Sequence, residues 1–172
     1  MNNKYISKYF FDNILNVKNN KVKLIVANAV IAAIYVVITY AIAPIGYGTI
    51  QFRISELLNW TTWMNPAAIP GLVIGCFIAN LNSPFGFIDV IFGTFATFLT
   101  CFLMSRTKNI YIASIWASIF SILIGIELLI TGMPFPVAAI ETSYIMISEL
   151  IIMAIIGIPI VILLERKFIK NE

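Results

Sequence analysis

Five long apolar runs constrain this chain more than any other feature. They cover residues 24–40, 66–81, 84–104, 110–130 and 137–164, and the only charged side chains inside them are Asp89, Glu127, Glu141 and Glu149. A helix needs about 20 apolar residues to cross the roughly 30 Å hydrocarbon layer of a bilayer, so each run reads as a membrane span. Composition agrees, since 60% of the 172 residues are hydrophobic and 11% charged, against about 25% charged in soluble domains. The expected fold is an all-α integral membrane protein with no room for a soluble catalytic domain.

Residues 1–23 carry five lysines and form a basic amphipathic or flexible N-terminal segment. Ile6, Phe10, Ile14 and Val17 recur at helical spacing opposite Lys4 and Lys8, which suits either a helix on the membrane surface or a solvated tail. The first apolar run ends in Ala41-Ile42-Ala43, like a signal-peptide cleavage site. It exceeds the usual signal core and Pro44 would follow the cut, so it reads as a span. The membrane domain is expected over 24–165, and 166–172 form a basic cytoplasmic tail.

Residues 50–64 carry Arg53 and Glu56 and are too short to cross unaided. Charge parity nevertheless requires them to cross. If they do not, the Arg106/Lys108 loop and the Arg166/Lys167/Lys170 tail face away from the lysine-rich N-terminus, against the positive-inside tendency. The expectation is six spans with both termini cytoplasmic, the short second one shielded from lipid by its neighbours. Asn65-Pro66 and Ser83-Pro84 carry helix-start signals. Gly157 and Pro159 are expected to bend the last span without ending it.

In that topology Arg53, Glu56, Asp89, Glu127 and Glu141 fall within about 10 Å of the outer ends of their spans, at 1.5 Å of rise per residue. Asn80 and Asn82 reach the same level, and Glu149 lies deeper. A carboxylate inside a span costs about 3 kcal/mol and normally faces a cavity or partner, so these groups suggest one outward-facing pocket. Plainer readings stand beside it. Arg53 and Glu56 can pair across one helical turn, Asp89 and Glu141 are close enough to span ends to be hydrated, and Glu149 can glue helices as a protonated acid. Trp60 and Trp63 suit an interfacial belt and Tyr47 an ordinary loop, or all three a stacking platform.

Small residues recur every four positions at Ala67/Gly71/Gly75/Ala79, at Ala113/Ala117/Ser121/Gly125 and at Ala29/Ala33, patterns that let helices approach closely. Function classes narrow by elimination. There is no histidine, and Cys76 and Cys101 lack metal-ligand spacing, so no metal or other cofactor is expected. No GxxxxGK[ST] loop is present for ATP hydrolysis, and inverted repeats of secondary transporters are not evident. The lysines speak of membrane orientation, not nucleic acid. An intramembrane enzyme would need a nucleophile and base that are not apparent, and a pore would carry polar residues along a whole helix face. A small binding subunit fits best.

The segments APIGYGTIQFRISE at 43–56 and PAAIPGLVIGCFIANLNSPFGFID at 66–89 resemble the QueT branch of the substrate-binding S components of energy-coupling factor (ECF) transporters. A looser match runs through Glu127 and Glu149, so that the resemblance spans about 24–165. Gly46 and Thr49 depart from the serine and proline common in that family, while Gln51, Arg53 and Glu56 keep its pattern. The resemblance implies six helices, an outward site capped by the loop between the first two, and an Ala29/Ala33 surface contacting a transmembrane coupling subunit that carries two ATPases. It also implies a queuosine-precursor ligand, such as 7-aminomethyl-7-deazaguanine or queuine. Such a ligand suits substrate-binding roles for Tyr47, Gln51, Arg53, Glu56, Trp60, Asn80, Asp89, Glu127 and Glu141, with carboxylates accepting from its ammonium and ring edge and an aromatic stacking on the bicycle. The alternative kept within the class is another small vitamin-like cation.

Overall fold

A computed structural model describes residues 21–43 and 52–169, and all their regular structure is helical. The expectations for the N-terminal segment, Tyr47 and Gln51 lie outside the described residues. The first helix, α1, runs Lys21–Ala41. A 3-10 turn over Ile54–Asn59 leads into α2, Trp60–Met64, and a second over Pro66–Ala68 opens α3, Ile69–Asn80. Helix α4 spans Phe87–Arg106. The next apolar run is divided into α5, Ile110–Ala113, α6, Trp116–Phe120, and α7, Ile122–Ile130. The last run is α8, Phe135–Leu150, a π-helical stretch Ile151–Gly157, and α9, Ile158–Ile169.

Four stretches, Lys21–Ala41, Phe87–Arg106, Ile110–Ile130 and Phe135–Lys167, are long and apolar enough to cross a membrane. Pro66–Asn80 is a shorter apolar helix. The outer surface has the composition of a lipid-facing one: Ile25, Val37, Phe87 and Ile155 are each at least 66% exposed. Polar side chains are gathered inside instead, where Asn59, Asn80, Asp89, Glu127 and Ser148 are all buried.

Local chemistry explains several boundaries. Asn65 accepts a 2.9 Å hydrogen bond from the Ala67 amide ahead of Pro66, so this Asn-Pro pair caps as expected. Ser83-Pro84 differs. The Ser83 hydroxyl accepts from the Phe85 amide at 3.2 Å, but the chain then turns through Gly86 at φ +73° and helix begins only at Phe87. A positive φ favours glycine, and that turn delays the start. The run 110–130 is interrupted near Ser114 and Ser121, whose hydroxyls donate back to Tyr111 and Ala117 carbonyls, a geometry that loosens helical turns. Pro159 sits in the first turn of α9, directly after the π-helical stretch, and the run continues through it as expected.

The small-residue stripe of α3 packs against α1. A Cβ placed on Gly71 would lie 2.6 Å from the Asn28 carbonyl oxygen, and one on Gly75 would lie 2.9 Å from Tyr35 Cβ. Asn28 fastens the contact by accepting from the Gly71 amide at 2.7 Å and donating to the Ala67 carbonyl at 3.0 Å. At the far end the Tyr40 hydroxyl donates to the Ile78 carbonyl. Contacts therefore advance together along both helices, which run parallel. The segment joining them must return along α1, and it does: Ser55 meets Thr39 at 2.8 Å, while Ala67 meets Asn28, eleven residues or about 16 Å back along the helix. This return is buried. Trp60, Trp63 and Met64 pack with Met104, Ile110, Ile152, Met153 and Val161 in one core cluster. Trp63 donates from Nε1 to the Thr107 carbonyl, just beyond α4.

Candidate functional site

The site grows from where the buried return segment begins. Arg53 has extended backbone angles, φ −96° and ψ 83°, and immediately precedes the 3-10 turn. Its guanidinium is buried, and Nη2 lies 3.9 Å from Asp89 Oδ2 in the first turn of α4. The nearest cation to Asp89 is thus supplied by tertiary folding, from far along the sequence. Glu56 is held differently. Its Oε1 accepts 2.6 Å from the Tyr35 hydroxyl of α1 and 3.4 Å from the Thr97 hydroxyl of α4, and its Oε2 accepts from Asn59 Nδ2.

Asn80 closes α3 beside this arrangement. Its amide donates to the Asp89 carbonyl at 3.3 Å and to Cys76 Sγ at 3.4 Å. Gly93 permits that approach, since a Cβ there would fall 2.5 Å from Asn80 Nδ2 and 3.0 Å from Asp89 Oδ1. On α7, Glu127 lies within electrostatic reach of Asp89 and Arg53, and on α8 Glu149 lies within reach of Glu56 and Arg53. The geometry places Asp89 beside the guanidinium, with Glu56 and Glu149 sharing a cavity wall with it.

Arg53, Glu56, Thr97 and Glu149 wall a cavity of about 40 Å3, completed by Gly93, Ala117, Ser121 and Ile124 among others. That space takes a few water-sized groups and not a fused bicyclic ring. Several buried acceptors near it make no hydrogen bond among the described residues: both oxygens of Asp89, both of Glu127, Glu149 Oε2 and Asn80 Oδ1. Such groups carry a desolvation cost until a donor reaches them. Chemically the arrangement suits a ligand that brings N–H donors and positive charge.

The expected site residues separate under this geometry. Arg53 and Glu56 line the cavity, Asp89 pairs with Arg53, and Asn80 bonds to the Asp89 carbonyl, whereas Glu127 is within electrostatic reach without lining the cavity. Glu141 is half-buried on α8 and does not line the cavity. Trp60 stands edge-on to Trp63 at 5.8 Å and is packed onto the backbone at Gly157 in the π-helical stretch, away from the cavity wall. Glu149, read above as possible helix glue, is on that wall. Tyr35, Asn59 and Thr97 were not singled out from the sequence. Tyr35 and Thr39, polar groups four apart inside an otherwise apolar span, were the available signal. Among the described residues no group of three or more metal-ligating side chains occurs, and Cys76 and Cys101 are buried free thiols.

Helices long and apolar enough to cross a membrane, packed around a buried, charged cavity, define a multi-pass membrane protein. The chain belongs to the QueT transporter family, whose pattern matches residues 25–166. It is 41% identical over 100 residues to the queuosine precursor transporter QueT of Lactococcus lactis subsp. cremoris (strain MG1363), an alignment covering 55% of this chain and 59% of that protein. The match thus spans less than two thirds of that relative's length. No solved structure matches the chain. That family is one of transporters.

Proposed function

We propose that the protein captures a queuosine precursor, 7-aminomethyl-7-deazaguanine, queuine or a close relative, on the outer side of the membrane and passes it to partner subunits for ATP-driven import. Supporting this reading in a chain of the QueT family, Glu56 and Glu149 wall one cavity with Arg53, Asp89 pairs with that guanidinium, and Glu127 lies within electrostatic reach. Four acids against one arginine favour a ligand with positive charge, and their acceptor oxygens match the N–H donors of an aminomethyl group and a guanine-like edge. Entry of the bicycle expands the 40 Å3 cavity, so binding and helix movement are linked. Tyr47, Gln51, Trp60 and Glu141 remain candidates for contacts in that expanded state.

The protein crosses the membrane six times with both termini cytoplasmic. The parallel course of α1 and α3 supports a crossing by the short segment between them, and the burial of Trp60 and Trp63 supports its shielding from lipid. Transport relies on an ECF coupling subunit and two ATPases. Ala29 and Ala33 support a docking face, because both are exposed on α1 while Asn28, Ala32 and Tyr35 turn inward. A cell unable to make queuosine, supplied with this chain and the partner subunits, should accumulate labelled aminomethyl precursor and should not when this chain is omitted. Equal uptake in both cells would contradict the proposal.

A further inference from the structure

The buried acids differ in what already occupies them, and that difference divides their roles. Glu56 accepts from Tyr35, Asn59 and Thr97, donors on three separate elements, so most of its acceptor capacity is used within the protein. Asp89 and Glu127, each 1% exposed, have four carboxylate oxygens with no hydrogen bond among the described residues. Asn80, fully buried, presents a fifth open oxygen. It is not an acid, and its orientation is fixed because its amide nitrogen is committed to the Asp89 carbonyl and Cys76. Asn80 and Asp89 converge over Gly93, where a Cβ would strike both.

The protein's own cation reaches this place as an ion pair. Arg53 Nη2 is 3.9 Å from Asp89 Oδ2, beyond hydrogen-bond length. Two carboxylates against one guanidinium leave one formal negative charge when both are ionised. Five acceptors from α3, α4 and α7 with that charge fit a primary ammonium, which brings three donors, no acceptor and one positive charge. A carboxylate or phosphate would be repelled by both carboxylates when they are ionised.

We propose that Asp89, Glu127 and Asn80 form the subsite for the ligand's ammonium group and so set selectivity for the aminomethyl precursor, while Glu56 is a positioning residue that shapes the pocket without contacting that group. This rests on the queuosine-precursor reading and deepens it.

Purified protein in lipid nanodiscs would be titrated with 7-aminomethyl-7-deazaguanine and with the neutral 7-cyano analogue. Wild type should prefer the aminomethyl compound at least tenfold. Asp89→Asn and Glu127→Gln should each weaken it about 30-fold, as loss of a buried charged partner commonly does, and change the cyano compound less than threefold, which also shows that the variants are folded. Glu56→Gln should weaken both compounds by the same factor. Asp89→Glu and Glu127→Asp, which keep the charge, should retain the preference. Absence of the preference in wild type, or equal losses of both compounds in the Asp89 and Glu127 variants, would overturn the subsite and leave precursor binding standing. Binding of neither compound by wild type would instead overturn the precursor reading. In that event benzylammonium still tests the subsite: it should raise the melting temperature of wild type and not of Asp89→Asn, benzoate should do neither, and no effect of benzylammonium would overturn it.

Discussion

The Tyr35 hydroxyl donates a 2.6 Å hydrogen bond to Glu56 Oε1, joining the helix that exposes Ala29 and Ala33 to the wall of the charged cavity. Tyr35 is fully buried, and its Cβ is held where only a glycine at position 75 lets α3 approach. Displacing α1 therefore moves a donor on which the Glu56 carboxylate depends. The proposed docking face of α1 and the proposed binding site therefore share one rigid element.

Tyr35→Phe should destabilise the protein by roughly 2 kcal/mol, the range for a hydrogen bond to a charged group. Thr97→Ala, which removes a 3.4 Å contact, should cost less. Thermal unfolding in detergent checks the order, and equal effects would contradict the assigned strengths.

Gly71→Val should be more damaging than Gly132→Ala. At Gly71 a Cβ meets Asn28 backbone at 2.6 Å, whereas at Gly132 it meets nothing within 4 Å and only the positive φ of 90° opposes it. Overpacking typically costs 1 to 3 kcal/mol, so Gly71→Val should lower the melting temperature clearly more than the turn substitution does.

Ala29→Leu together with Ala33→Leu should reduce uptake in cells containing the partner subunits, while ligand binding by the isolated protein stays within about twofold of wild type. Small residues matter where helices dock closely. Parallel loss of binding would assign the patch to internal packing.

Cysteine reporters test the six-crossing topology. Asn82 and Lys108 are both exposed and lie at opposite ends of α4, and the native thiols are buried and should stay silent. An impermeant maleimide should label Asn82→Cys on intact cells and Lys108→Cys only after permeabilisation. The reverse pattern would invert the orientation.

Four of the expected spans and the small-residue stripe of α3 were legible because a bilayer imposes length and apolarity on a crossing helix, and Gly71 and Gly75 lie where their spacing puts them. The Asn65-Pro66 cap was legible because it is local. Ser83-Pro84 carried the same kind of signal, yet Gly86 turned the chain first. The acids of the site stood out as charges inside apolar runs, whereas their partners did not. Arg53 reaches Asp89, and Glu56 reaches Tyr35 and Thr97, across separations that no helical periodicity encodes. Trp60 shows the converse: its composition suited a stacking platform, but the glycine at 157 gave it a packing place in the core.

This chain alone should bind a queuosine precursor. Equilibrium titration of the purified protein in nanodiscs with labelled 7-aminomethyl-7-deazaguanine, without ATP or partner subunits, tests it most directly. Saturable binding at one site per chain is expected, displaced by the unlabelled compound and far less by adenine. Absence of saturable binding by folded protein, or equal displacement by adenine, would contradict it.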